Sequence, residues 1–245
     1  MTAAGRRWVV LVAALAAAAL TARLGLWQLD RAAQKKQLQA MLDTRIALPP
    51  LPPAELALDA DAAAAQHHRT IRIEGQWLPE RTIYLENRQL NGRPGFHAVT
   101  PLRLDDGSAV LVQRGWLPRD LMDRTRIVAA PPPAGRVVVH ARIAPAPGRL
   151  YEFEAAASGP IRQNIDLDGY ARETGLPLRP LTLVQEDGQP PPEDGLLRQW
   201  PRPAADVHKH YGYAFQWFSL SALILGLYVW FQLIRPRRAR QRRHA

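Results

Sequence analysis

The chain has 245 residues, a formal net charge of +10 and no cysteine. The absence of cysteine excludes disulfides, thiolate metal sites and a cysteine nucleophile, so any folded part must be held by packing. The charge invites a nucleic-acid reading. However, Arg6, Arg7, Arg235, Arg237, Arg238, Arg240, Arg242 and Arg243 carry eight of it, and removing them lowers +10 to +2 for residues 8–234, which leaves no basic stripe for nucleic acid in the folded part.

In chain order, Trp8 to Ala22 carries no charge, and Arg23 is followed by Leu24, Gly25, Leu26, Trp27, Gln28 and Leu29. With Arg23 snorkelling to an interface, residues 8–29 match the roughly 20 residues a membrane helix needs. A cleaved leader shares the paired arginines, apolar core and small residues, and it stands as the other reading of this segment. The residues around Arg6 and Arg7 match a twin-arginine signal poorly. Leu26 to Leu42 predicts a helix continuing out of the bilayer. Pro49, Pro50, Pro52 and Pro53 end it in an extended linker, and Ala54 to His68 predicts a second, short helix.

The pattern then changes to strands. Thr70 to Trp77 alternates apolar and polar residues, and Thr82 to Leu85 follows a turn containing Pro79. Asn91-Gly92 is a turn signal before Phe96 to Leu104, and Asp105 to Ser108 links that strand to Ala109–Arg114 as a hairpin. Gly115-Trp116-Leu117-Pro118 is expected to break the hairpin strand. Arg136 to Ile143 predicts another strand, Asn164 to Gly175 a short helix ending at its glycine, and Leu181 to Gln185 a last strand. The prolines at 190–192 lead back towards the bilayer.

From Tyr211 to Ile234 the chain has 24 residues without formal charge, followed by the arginine tail. This predicts a second span, and lysine and arginine excess near span ends marks the cytoplasmic side. Arg31, Lys35 and Lys36 open a loop of about 180 residues, and long loops translocate largely regardless of charge. The expected architecture is therefore a membrane protein with two transmembrane helices and an α+β, sheet-dominated external domain between them. Residues 1–7 and 235–245 are assigned to the cytoplasm, 8–29 and 211–234 to the bilayer, and 30–207 to the periplasm. No arginine- and serine-rich leader is evident before the first span, so the bacterial inner membrane is the simplest setting. The terminal arginines read as topology anchors that also attract membrane lipid.

Catalytic constellations are scarce. Of four serines, Ser108 falls in a turn, Ser158 has no nucleophile setting, and Ser219 and Ser221 lie in the second span. The pairs Glu152 and Glu154, and Asp166 and Asp168, read as solvated faces; His67-His68 lacks ligands at metal spacing, and no phosphate-cradling glycine loop is present. With short segments flanking the spans, no cytoplasmic output domain is expected. Binding, assembly or delivery remains, and the chain is not expected to be an enzyme.

One side chain stands out. His210 opens the second span, and residues three, four and seven further on, Tyr213, Ala214 and Trp217, share its helical face, while His208 points elsewhere. A neutral imidazole beside an aromatic edge can ligate a haem iron; it can equally be an interfacial polar residue beside an aromatic belt.

Four blocks carry a resemblance: Gly25-Leu26-Trp27-Gln28-Leu29-Asp30-Arg31 with Lys35; Gly95-Phe96-His97-Ala98-Val99-Thr100-Pro101-Leu102; Arg114-Gly115-Trp116-Leu117-Pro118; and His210-Tyr211-Gly212-Tyr213-Ala214-Phe215-Gln216-Trp217-Phe218. In this order they resemble the signature blocks of the Surfeit locus protein 1 family, over nearly the whole chain. The resemblance implies a cytochrome c oxidase assembly factor with two spans that helps the largest oxidase subunit acquire haem a. Its partners would be oxidase subunits and other oxidase assembly factors. In some bacterial members the histidine opening the second span is the proposed haem a ligand; His210 matches that position, and His208 is an additional histidine beside the motif. The resemblance leaves two readings, a haem-handling assembly factor and a cofactor-free membrane scaffold or adaptor for an oxidase intermediate. Arg114, Gly115 and Trp116 then serve packing, a turn and pairing with a carboxylate, or docking. Trp27, Gln28 and Arg31 support the second span or contact partners.

Overall fold

The computed structural model describes residues 3–151, 159–188, 193–200 and 207–236. The chain divides into two compact units, one made of Met1–Met41 with Pro201–Ala245 and the other of Leu42–Trp200.

The first unit is helical. Helix α1 runs unbroken from Ala3 to Ile46, longer at its C-terminal end than the apolar pattern indicates, and Pro49 and Pro50 stand just beyond it. The final helix, α4, covers Val207–Tyr228 and continues as π-helical turns over Val229–Ile234. Both are long and apolar enough to cross a membrane. Along α1, Ala18, Thr21, Gly25 and Ala32 are buried and Gln28 is half-buried, a spacing of three and four residues that marks one stripe. Small residues in such a stripe let two backbones approach closely. A Cβ added at Gly25 would lie 2.9 Å from the Phe218 ring, and Ser221 Oγ donates to the Ala18 carbonyl at 2.9 Å. Contacts from Ala18 to Gln28 on α1 therefore descend from Ser221 to His210 on α4, and the helices run antiparallel.

The second unit opens with a short helix, α2 (Ala60–Gln66), capped by Asp59, whose side chain accepts from the Ala62 amide. Among the described residues seven strands follow: β1 (Thr70–Trp77), β2 (Ile83–Leu90), β3 (Arg93–Arg103), β4 (Ala109–Pro118), β5 (Arg136–Ala144), β6 (Ile161–Arg162) and β7 (Leu178–Gln185). Their order is β1-β5-β7-β4-β3-β2-β6, and β1 also pairs with β3 through Gln76↔Arg103 and Trp77↔Leu102. Five strands thus close into a ring, filled by Ile71, Ile73, Trp77, Leu102, Val112 and Leu183 among others. Closure removes the open edge that β1 would otherwise present. Helix α3 (Leu167–Thr174) covers a second apolar cluster with Tyr170 over Ile83, Leu85, Val99 and Leu111. Asp166 caps its start, and Gly175, at a φ of 70°, ends it.

One expectation is overturned. Gly115-Trp116-Leu117-Pro118 does not end the hairpin strand, because β4 continues through it to Pro118. Ala98 pairs with Gly115 while Val99 pairs with Gln113, leaving Arg114 as the extra residue of a β-bulge. The glycine marks a place where another segment comes close: a Cβ at Gly115 would stand 2.7 Å from Leu196 Cβ. Two further features had no signal in the alternation. The two-residue strand β6 pairs in parallel with β2, and β7 pairs in parallel with β4.

Candidate functional site

His210 lies in the first turn of α4, half-buried, with the fully buried Ala214 one turn further on. Of the other side chains expected on its face, Trp217 is half-buried and Tyr213 is exposed. His208 is exposed, and its side chain has no hydrogen bond among the described residues. The ring of His210 is turned onto α1, where its Nδ1 meets Gln28 Oε1 at 2.7 Å. Close by, the Lys36 ammonium sits 5.2 Å from the Tyr211 ring centroid, and the Arg31 guanidinium lies 5.9 Å from the Trp27 centroid. The site therefore falls where the apolar stripe of the helix pair gives way to cationic and aromatic side chains. Its donor set is one imidazole, engaged at one nitrogen and with the other left for a ligand, which suits an axial haem ligand. The sequence placed Gln28 among the residues that support the second span or contact partners, without pairing it to this histidine; the three- and four-residue spacing that leads to Gln28 carries the signal.

The remaining motif residues lie in the sheet domain. Arg114 is buried and pairs with Asp194 at 2.9 Å; Arg198 reaches the same carboxylate oxygen at 2.5 Å. The Arg114 guanidinium also stands 5.4 Å from the Trp77 ring centroid. Burial pulls its pKa down from the ordinary arginine range, against the pull of Asp194. Pairing with a carboxylate is thus realised for Arg114, and the carboxylate lies 80 residues away in the chain. Trp116 donates its indole N–H to the Arg88 carbonyl at 2.8 Å and exchanges two backbone bonds with Leu197. His97 stands edge-on to Trp200 at 5.1 Å, and burial, with a smaller contribution from the Arg88 charge, pushes its pKa down to about 4. A groove of about 500 Å³ lies beside this cluster, lined by Trp77, Arg114, Pro131, Val138, Gln185 and Asp194 among others.

The weaker chemical candidates have structural duties. Asp106 accepts from the backbone and hydroxyl of Ser108, which also takes a bond from Arg179. Asp166 caps α3, and Ser221 ties to Ala18. His67 and His68 meet edge-on, and no group of three metal-ligating side chains occurs among the described residues. Glu152, Glu154, Ser158, the prolines at 190–192 and the arginines from 237 onward lie outside the described residues.

Two helices long and apolar enough to cross a membrane, flanking an α+β domain with seven strands among the described residues, define the class of fold. The model of the SURF1 (Surfeit locus protein 1) family matches residues 15–222, from within α1 to within α4, and the chain belongs to that family. A SURF1-like protein of Rickettsia bellii is 27% identical over 208 residues, covering 84% of this chain and 83% of the relative. An uncharacterized SURF1-like protein of Mycobacterium tuberculosis is 28% identical over 226 residues, covering 86% of this chain and 78% of the relative. The cytochrome oxidase assembly protein SHY1 of Saccharomyces cerevisiae is 30% identical over 95 residues, 38% of this chain and 24% of its own length.

Proposed function

We propose that this chain is an assembly factor for a cytochrome oxidase and that it holds haem a, as cargo for the largest oxidase subunit, at His210. The oxidase connection is supported by family membership and by the name of the yeast relative. The haem part is carried by one observation: an imidazole stands half-buried at the end of an apolar helix pair, with one nitrogen anchored on the neighbouring helix. Neutral imidazole is a common axial ligand of haem iron, and Tyr211, Tyr213 and Trp217 supply aromatic surface around it. The role is binding and delivery, without catalysis by the chain itself.

The setting follows from the same features. The antiparallel helix pair supports termini on one side of the membrane, and Arg6, Arg7 and Arg235 support the cytoplasmic side of a bacterial inner membrane. The sheet domain then faces the periplasm, available to oxidase subunits and other assembly factors.

Deleting the gene is expected to lower haem a content and oxidase activity in isolated membranes, with restoration by the wild-type chain and not by His210→Ala. Unchanged haem a content in the deletion strain would defeat the assembly reading. Full restoration by His210→Ala would remove the haem-holding part and leave a cofactor-free scaffold or adaptor.

A further inference from the structure

An imidazole can serve as a ligand through only one of its nitrogens at a time, and in the neutral ring the other nitrogen carries the proton. Which nitrogen is free is set by the hydrogen bond that the protonated one makes. At His210 that bond is defined. Nδ1 faces an amide oxygen, Gln28 Oε1, at 2.7 Å, and an amide oxygen only accepts. In the neutral ring the proton therefore sits on Nδ1, and the lone pair is left on Nε2.

The placement of Gln28 explains why the bond is held. Thr21, Gly25, Gln28 and Ala32 follow one another at the spacing of a helix face that is otherwise small and buried. Gln28 is the long amide in that stripe. Gly25, one turn earlier, brings the helices so close that a Cβ there would come within 2.9 Å of Phe218. A polar side chain in such a stripe is costly unless it is paired. His210 is the partner.

We infer that Gln28 is a positioning residue, which fixes His210 as the Nδ1–H tautomer and presents Nε2 to a metal-bearing ligand. The tautomer stands on the geometry alone; its use in holding haem rests on the proposed function. The partner of a ligating histidine orients the ring and raises its basicity, and its loss typically costs 10–100-fold in metal affinity.

The test uses the full chain, labelled with 15N-histidine in detergent and free of haem, with the His210 signals assigned by their loss in His210→Ala. The 15N shifts report which ring nitrogen carries the proton. Wild type should show the proton on Nδ1. Gln28→Met, similar in size and without the acceptor, should move it towards Nε2, and Gln28→Glu, which keeps an acceptor, should hold it on Nδ1. A wild-type ring protonated on Nε2 overturns the inference whatever the variants do, so a variant that fails to fold does not protect it. The same proteins are then titrated with haem, and Gln28→Met should bind about 10–100-fold more weakly than wild type. Equal affinity overturns the positioning role while leaving the haem reading intact. A wild type that binds no haem but carries the Nδ1 proton overturns the haem reading and upholds the tautomer assignment.

Discussion

Arg114 and Asp194, 80 residues apart in sequence, meet at 2.9 Å with both side chains more than nine-tenths buried. Asp194 is shared, since Arg198 binds the same oxygen. A buried ion pair adds little when compared with apolar packing, but removing one member leaves a charge without compensation at about 3–5 kcal/mol. The two halves of this pair are therefore unequal. Asp194→Asn leaves Arg114 without an anion, and Arg198 with only the more distant Asp187 carboxylate at 3.4 Å, and is expected to cost about 3–5 kcal/mol. Arg114→Met leaves Asp194 paired with Arg198 and should cost distinctly less. Urea unfolding followed by tryptophan fluorescence measures both; equal losses would contradict the shared-carboxylate account.

Gly95 is held to glycine by its neighbours. A Cβ there would stand 2.3 Å from the Leu117 carbonyl oxygen and 2.4 Å from Trp116 Cε2. The oxygen belongs to the paired strand and cannot swing aside, so Gly95→Ala should reach the upper end of overpacking penalties, about 3 kcal/mol. Displacing Trp116 also strains its bond to the Arg88 carbonyl, so a change in indole fluorescence should accompany the loss.

His97 makes stability depend on pH. Burial lowers its folded pKa from 6.5 to about 4, so on acidification the unfolded chain takes up the proton first. Stability should fall as pH drops from about 6.5 to about 4, by about 3 kcal/mol over the full window at 1.36 kcal/mol per pKa unit. His67 and His68 are lowered as well, chiefly by burial, and add the same sign. Asp106 and Glu173, whose pKa values are lowered by bonds to Ser108 and Arg162 respectively, contribute their own loss only at lower pH, as the unfolded carboxylates protonate. His97→Phe keeps a ring beside Trp200, and its urea midpoints should fall less steeply between pH 7 and 5 than those of wild type. Parallel curves would contradict this.

The helix pair can be tested by cross-linking, because the natural chain has no cysteine to confuse it. Ser221→Cys puts a thiol where the hydroxyl now bonds the Ala18 backbone carbonyl at 2.9 Å, and Ala18→Cys supplies a second thiol at that helix contact, so a disulfide should form under mild oxidant. Adding Gly25→Leu forces a side chain into the Phe218 ring and should cut that yield several-fold. An undiminished yield would show that Gly25 does not set the approach.

Much of this was legible in the sequence because local rules dominated. Thr70–Trp77 alternates cleanly, since one face of β1 lines the core, and Gly175 ends α3 where the left-handed turn requires it. The sequence pattern broke β4 at Gly115 because a glycine before a bulky tryptophan looks local, whereas its cause is a bulge and the close approach of Leu196, which comes from far along the chain. The closure of β1 onto β3 and the parallel pairing of β4 with β7 are long-range and leave no periodicity to read. At the site, His210 was visible from its position at the head of an apolar segment. Gln28, 182 residues earlier, becomes its partner only once two helices are laid side by side.

His210 is the proposed place where haem a is held. The most direct test is the absorbance spectrum of the chain purified from cells that make haem a, alongside His210→Ala and His208→Ala. The account predicts a haem band in the wild type and in His208→Ala, and its loss in His210→Ala. A colourless wild-type protein, or a band that survives His210→Ala, would contradict it.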